Sequence, residues 1–166
     1  KDRKTDIVEV PNSDVHIEPF GAYSRKIKKA VDLREGAVVA IPNDPSNSGR
    51  ALALLARQGL FKLKDPGNIK STARDIVSNP KKLVIREIES AQLPRALPDV
   101  DLALINTNYA LEAKLDPGRD ALFIEDGRNS PYANFIAARK DNLQSPAIAK
   151  LVKTLHTPEV RKFIQD

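Results

Sequence analysis

The stretch Val38-Val39-Ala40-Ile41-Pro42-Asn43-Asp44-Pro45-Ser46-Asn47-Ser48-Gly49-Arg50-Ala51-Leu52 decides the fold. Its first five residues are small or β-branched and uniformly apolar, the pattern of a strand buried on both faces. Asn, Asp, Pro and Ser break that run, after which Ala51, Leu52, Leu55 and Ala56 share one helical stripe and Gly59 supplies a stop. A helix is expected from about Asn47 to Gln58, with Ser46 or Asn47 capping its start. Strand, polar loop and helix in that order form the repeating unit of an α/β fold.

Working outward, short apolar runs predict strands at Asp6 to Val10, Val15 to Phe20, Leu83 to Ile88, Asp101 to Asn106, Ala121 to Ile124 and Asn134 to Arg139. Helices are expected at Ser71 to Ser78, ended by Asn79-Pro80, and at Asn108 to Lys114, ended by Asp116-Pro117-Gly118. Two more open at Ser145-Pro146 and Thr157-Pro158. The alternation predicts a sheet with mainly parallel strands.

Composition limits the function classes. The 166 residues are 41% hydrophobic and 30% charged, which suits one compact domain or two small lobes. No apolar run is long enough to cross a membrane. Without Cys, disulfides, thiolate metal sites and Cys nucleophiles are excluded, and two well-separated His give no basis for a zinc site. The net charge of +5 is spread among acids, its densest group being Arg25, Lys26, Lys28 and Lys29. No closely spaced aromatic platform accompanies it, so nucleic-acid binding is not expected. The chain has no Met, begins at Lys1 and stops in a helical pattern at Asp166, so both ends are expected to be trimmed.

Ligands of an open α/β sheet collect beyond the carboxyl ends of its strands, beside helix N-termini. After Pro42, small Ser46, Ser48 and Gly49 would let an anion approach backbone N–H groups, and Arg50 offers a forked pair of donors for a carboxylate. The alternative is a solvated Arg50 paired with Asp44. The loop carries neither the Gly-Lys-Ser/Thr ending of a phosphate-binding loop nor a dinucleotide fingerprint. A second segment, Val100 to Ile105, leads to Asn106-Thr107-Asn108-Tyr109. A carboxamide binds an ammonium through its oxygen or a carboxylate through its nitrogen, so this group suits a zwitterion; equally, Asn106 and Asn108 would turn the chain and cap the next helix. Asn129-Ser130-Pro131-Tyr132-Ala133-Asn134 is a similar polar edge. His16 and Glu18, two apart on an expected strand, face the same side as an acid/base pair or a structural hydrogen bond. No nucleophile motif accompanies them, so enzymatic chemistry is not expected.

Four strings carry a resemblance: Val15-His16-Ile17-Glu18-Pro19-Phe20-Gly21-Ala22-Tyr23-Ser24, Ala40 through Leu52, Ala91-Gln92-Leu93-Pro94-Arg95 and Ile105-Asn106-Thr107-Asn108-Tyr109-Ala110. In order and spacing the chain resembles the methionine-binding lipoproteins of the NLPA family, substrate-binding components of bacterial methionine ABC importers. The resemblance implies an α/β, periplasmic-binding-protein-like fold of two lobes (type II), with the first lobe incomplete in this chain. Residues 1–21 would be part of that first lobe and a crossing strand, 22–122 the second α/β lobe, and 123–166 the return to the first. It also implies a precursor with a signal peptide and a lipid-bearing Cys before Lys1, anchored in the periplasm or on the outer face of the cytoplasmic membrane.

Carried over by position, the resemblance has Arg50 clamp a ligand carboxylate, helped by Asn106 or Asn108, with the other amide near the α-amino group. His16 and Tyr132 would line the cleft, with Asn134, Asn47 and Tyr23 as further ligands and Phe20 as part of an apolar pocket. The implied partners are methionine, another apolar amino acid or a methionine-containing dipeptide, and an ABC permease. No catalytic residue, cofactor or metal is implied.

Overall fold

The computed structural model describes residues 6–127 and 130–165. In chain order its elements are β1 (Ile7–Glu9), β2 (Gly21–Tyr23), β3 (Val38–Pro42), α1 (Pro45–Arg57), β4 (Lys62–Leu63), β5 (Ile76–Ser78), β6 (Val84–Ile88), α2 (Leu93–Ala96), β7 (Leu102–Ile105), α3 (Thr107–Glu112), α4 (Pro117–Asp120), β8 (Phe123–Ile124), β9 (Ala137–Arg139), α5 (Pro146–Leu155) and α6 (Pro158–Gln165). They fall into two units, Lys1–Glu18 with Gly127–Asp166, and Pro19–Asp126.

The Pro19–Asp126 unit is built on a five-stranded sheet of order β6-β3-β7-β2-β8. β3 lies parallel to both β6 and β7, whereas β2 pairs antiparallel with β7 and β8. The expectation of mainly parallel strands thus holds for β6-β3-β7 and fails at the β2-β8 side. Alternate residues of β3 and β7 supply two separate cores, as the period of a strand requires. Val39, Ile41, Leu102 and Leu104 pack with Ala51, Leu52 and Leu55 of α1, and Ala40, Ala103 and Ile105 pack with Leu93 and Leu97. Covering on both faces explains why Val39 to Pro42 and Leu102 to Ile105 are buried throughout. Asp101 ties the strand starts together: its carboxylate accepts from the Val38 N–H at 2.8 Å, and its carbonyl accepts from Ser24 Oγ at 2.7 Å.

α1 starts earlier than its sequence pattern suggests. Asp44, not Ser46 or Asn47, is the N-cap, accepting from the Asn47 N–H at 3.0 Å, and Pro45 occupies the first helical position. Gly59 closes the other end at φ +74°, as expected of a stop. Two expected elements are absent. Val15 to Phe20 forms no strand, because Pro19 has no N–H to offer a ladder; His16 keeps only an isolated bridge to Asn134, and the strand begins at Gly21. The expected helix at Ser71 to Ser78 is one 3-10 turn, Ala73–Asp75, followed by β5 paired with β4. β-branched Ile76 and Val77 favour that hairpin.

In the other unit, β1 pairs antiparallel with β9 through Ile7↔Arg139 and Val8↔Ala138. Ser145 caps α5, accepting from the Ala147 N–H at 3.3 Å, and α6 starts at Pro158. Among the described residues of this unit the buried apolar side chains are Val10 and Ala138, while Ile7, Phe135, Leu151 and Phe163 are exposed. Lys1, Asn129 and Asp166, which the sequence reading singled out, lie outside the described residues.

Gly49 is held at zero side-chain size by tertiary contact: a Cβ there would lie 2.2 Å from the carbonyl oxygen of Ile69. Gly49→Ala is therefore expected to destabilise the chain by about 1–3 kcal/mol through overpacking against backbone, although helix propensity alone favours Ala. Chemical denaturation followed by circular dichroism measures the sign; a gain in stability would contradict this packing.

Candidate functional site

Within the Pro19–Asp126 unit, the carboxyl end of β3, the first turn of α1 and the carboxyl end of β7 bring a chain of polar side chains together. Asp44 accepts from Asn47 Nδ2 at 3.2 and 3.0 Å on its two carboxylate oxygens, and from Ser90 Oγ at 3.3 Å. Asn47 Oδ1 in turn accepts from Asn106 Nδ2 at 3.1 Å. Asn106 stands at the N-cap position of α3, yet its side chain makes no capping hydrogen bond. Its Oδ1 is buried and has no hydrogen-bond partner among the described residues. An acceptor placed this way calls for a donor that the described residues do not supply.

Arg50 lies three residues after Asn47, on the same side of α1. Its side chain is 8% exposed and faces Glu125, itself 4% exposed. Arg50 Nε donates to the two Glu125 oxygens at 3.2 and 3.0 Å, and Nη2 donates to Oε2. The guanidinium carbon sits 5.2 Å from the centre of the Phe20 ring, in cation–π range. Glu125 is held from the chain as well, since its N–H donates to the Phe20 carbonyl at 2.8 Å. Thr107 Oγ1 donates to the Pro19 carbonyl, fastening the start of α3 to the same segment.

Two expectations are corrected here. The solvated Arg50–Asp44 pair does not form, because Asp44 is consumed by the cap and Asn47 while Arg50 is buried against Glu125. The space beside Gly49, expected to admit an anion, is filled by the Ile69 backbone, and Ser48 is buried with its Oγ donating to Glu87 Oε1 at 3.4 Å. Phe20, which the resemblance makes part of an apolar pocket, is fully buried with its ring facing the Arg50 guanidinium.

The remaining candidates divide between the units. Asn108 is exposed on the first turn of α3. Tyr23 belongs to the core packed on α2; its ring lies over Gly21, where a Cβ would come within 2.7 Å of it, and its buried hydroxyl has no hydrogen-bond partner among the described residues. In the other unit, the bridge brings His16 and Asn134 together: Asn134 N–H donates to the His16 carbonyl and Val15 N–H to the Asn134 carbonyl, each at 2.8 Å. His16 Nε2 donates to Glu18 Oε1 at 3.2 Å, leaving a buried Nδ1 with no partner among the described residues. Tyr132 is half-buried, its N–H donating to Ser130 Oγ at 3.2 Å. His16 also lines an open groove of about 720 Å³ with Asp14, Leu155, His156, Arg161 and Ile164.

Sequence reasoning missed Glu125 and the role of Asp44. For Asp44 the signal was present, since Asp before Pro is a helix-start signature. Glu125 has no local signal; it is 75 residues from Arg50 and pairs with it only through the sheet.

The family model for NlpA lipoprotein matches residues 1–166. A Pasteurella multocida protein named as a probable D-methionine-binding lipoprotein is 52% identical over 142 residues, 86% of this chain and 51% of its own length. The chain therefore spans about half of that relative. A nutrient-binding protein from Burkholderia cenocepacia, solved bound to methionine, superposes with a TM-score of 0.93 at 49% identity, over 99% of this chain and 68% of that one. An ABC transporter periplasmic substrate-binding protein from Coxiella burnetii gives 0.89 at 49% identity, over 96% and 66%.

The buried ion pair makes a clear stability test. Arg50→Leu alone strands a buried carboxylate and is expected to cost about 3–5 kcal/mol, while the double change Arg50→Leu, Glu125→Leu costs far less than the sum of the two singles. Urea unfolding of the four proteins measures the coupling; additive costs would show that the pair is not coupled.

Burial pushes the Tyr23 phenol up to about 12, with Asp120 and then Asp116 acting in the same direction. A raised pKa favours the neutral phenol in the fold, so this contribution is complete below the unfolded value of about 10 and is lost as pH rises toward 12. Tyr23→Phe, which deletes an unpartnered hydroxyl, is expected to leave stability at pH 7 unchanged or higher and to fall less steeply than wild type above about pH 10. Unfolding curves across that range are the check; parallel alkaline losses would remove Tyr23 as the cause.

Proposed function

This chain belongs to the NlpA lipoprotein family, and on that premise we propose that it captures methionine, or a similar apolar amino acid, outside the cytoplasm and delivers it to an ABC permease. The reading is of binding without chemistry, by a protein held at the membrane through a lipid anchor on its precursor. Relatives named for D-methionine binding and a neighbour solved with methionine support the ligand. A periplasmic substrate-binding neighbour from an ABC transporter supports the partner.

The observation that carries the reading is the buried Oδ1 of Asn106, which has no partner among the described residues and calls for a donor, in the same cluster as Asn47, one helical turn from the cationic Arg50. A zwitterion carries an ammonium that suits the carboxamide oxygen and a carboxylate that suits a guanidinium. In this reading Arg50 takes the carboxylate, with Asn106, Asn108, Asn47 and Tyr23 as further ligands from the Pro19–Asp126 unit. His16, Tyr132 and Asn134 are the ligands from the other unit. Residues 22–122 act as one lobe and 1–21 with 123–166 as parts of the other. Ligand that favours one arrangement of the protein gives the permease a state to recognise.

The test is calorimetric titration of refolded, ligand-stripped chain with L-methionine and with its methyl ester. Saturable binding of the acid and at least tenfold weaker binding of the ester is expected, since the ester has lost the charge that Arg50 reads. Equal binding of both, or of neither, would overturn the carboxylate-reading receptor.

A further inference from the structure

We propose that Asp44, held by donors from Asn47 and Ser90, sets the polarity of the site: it fixes Asn106 with its oxygen turned away from Asn47 and left to accept, and so makes the protein selective for a ligand bearing an ammonium. The inference deepens the receptor reading above and rests on it for the nature of the ligand.

What each group can donate decides the orientation of the amide. A carboxamide has a donor end and an acceptor end of nearly equal size, and on its own it presents either one. A carboxylate accepts only. Asp44 therefore admits the NH₂ end of Asn47, which it receives at 3.2 and 3.0 Å on its two oxygens. That turns Asn47 Oδ1 toward Asn106, where it can be satisfied only by the Asn106 NH₂ at 3.1 Å. Asn106 has then spent its donor end, and its oxygen is left buried and unpartnered. A flipped Asn106 would set two carboxamide oxygens against each other, so one fixed negative charge decides the orientation of an amide two side chains away.

Asp44 is itself locked. The Asn47 N–H caps onto it at 3.0 Å and Ser90 Oγ donates to it at 3.3 Å, so every group facing it in this cluster is a donor. The surrounding fold accounts for the precision of the relay. Asp44 is fixed by the start of α1, and Asn106 by the end of β7, which lies parallel to β3 in the same sheet. The buried oxygen costs the protein an unsatisfied acceptor until a donor arrives, which disfavours ligands that lack one.

Asp44→Asn is the informative variant. Asn is as good an N-cap as Asp, so α1 keeps its start. The new NH₂, however, can donate to Asn47 Oδ1, and the whole relay can reverse and present the Asn106 NH₂ outward. Asn47→Ala breaks the relay without touching the cap residue and serves as the second variant. Affinities would be measured for L-methionine and for its des-amino analogue 4-(methylthio)butanoate. Wild type is expected to prefer methionine, and both variants to lose that preference by about 10- to 100-fold, the value of a hydrogen bond to a charged group. General damage to the site would weaken both ligands alike and leave the ratio unchanged, and an unchanged ratio would overturn the proposal.

A ligand-free measurement separates this failure from failure of the receptor reading. Nuclear magnetic resonance of isotopically labelled wild-type chain is expected to show coupling across the hydrogen bond from Asn106 Nδ2 to the Asn47 carboxamide carbon, and its loss in Asp44→Asn. If methionine does not bind but this coupling is present, the receptor reading fails and the orienting role of Asp44 stands. If the coupling is absent in wild type, the relay is overturned whatever the ligand.

Discussion

The buried pair of Arg50 and Glu125 is the interaction on which the arrangement of the Pro19–Asp126 unit depends. Both side chains are almost wholly removed from water, so neither tolerates loss of the other. Through them, α1, the end of β8 and the segment entering β2 are held at one place, with the Phe20 ring beneath the guanidinium. A buried ion pair is often no more stabilising than well-packed apolar residues, so stability alone does not account for it; in the proposed receptor role, it holds a desolvated cation in place for a ligand.

Beside this pair lies a second electrostatic constraint of a different kind. Asp44 contributes a helix cap, which many residues could supply, and a direction of hydrogen bonding, which only an acceptor without donors imposes. Two carboxylates thus divide the work in the proposed site. Glu125 fixes the position of a cation, and Asp44 fixes which end of an amide is left to accept. Both act before any ligand arrives, which is how a polar site avoids spending ligand affinity on its own reorganisation.

The two units differ in how they are stabilised. Nearly all fully buried apolar side chains belong to the Pro19–Asp126 unit, where helices cover both faces of β3 and β7. In the other unit the amphipathic helices α5 and α6 leave Leu151 and Phe163 exposed, and the buried apolar residues among those described are Val10 and Ala138. The polar cluster sits on the better-packed unit, which suits groups that must keep hydrogen-bond geometry to a few tenths of an ångström.

Much of this was legible in the residues. The apolar runs of β3, β6 and β7 and the starts of α5 and α6 follow from short-range pattern, Pro and Ser, because the physics that makes them is local. The same holds for the stop at Gly59 and for the polar content of the loop after β3. The family could be recognised in the same way, from motifs that lie contiguous in the chain. Where the outcome turned on partners far away in sequence, the residues alone were silent. Tertiary contact decided that Ile69 fills the space at Gly49, that Arg50 meets Glu125 rather than Asp44, and that Asn106 donates to Asn47 instead of capping its own helix. Each of these is a choice between several chemically acceptable partners. A side chain's donors and acceptors are written in the sequence, but which partner it takes depends on which backbone the sheet brings within three ångströms of it.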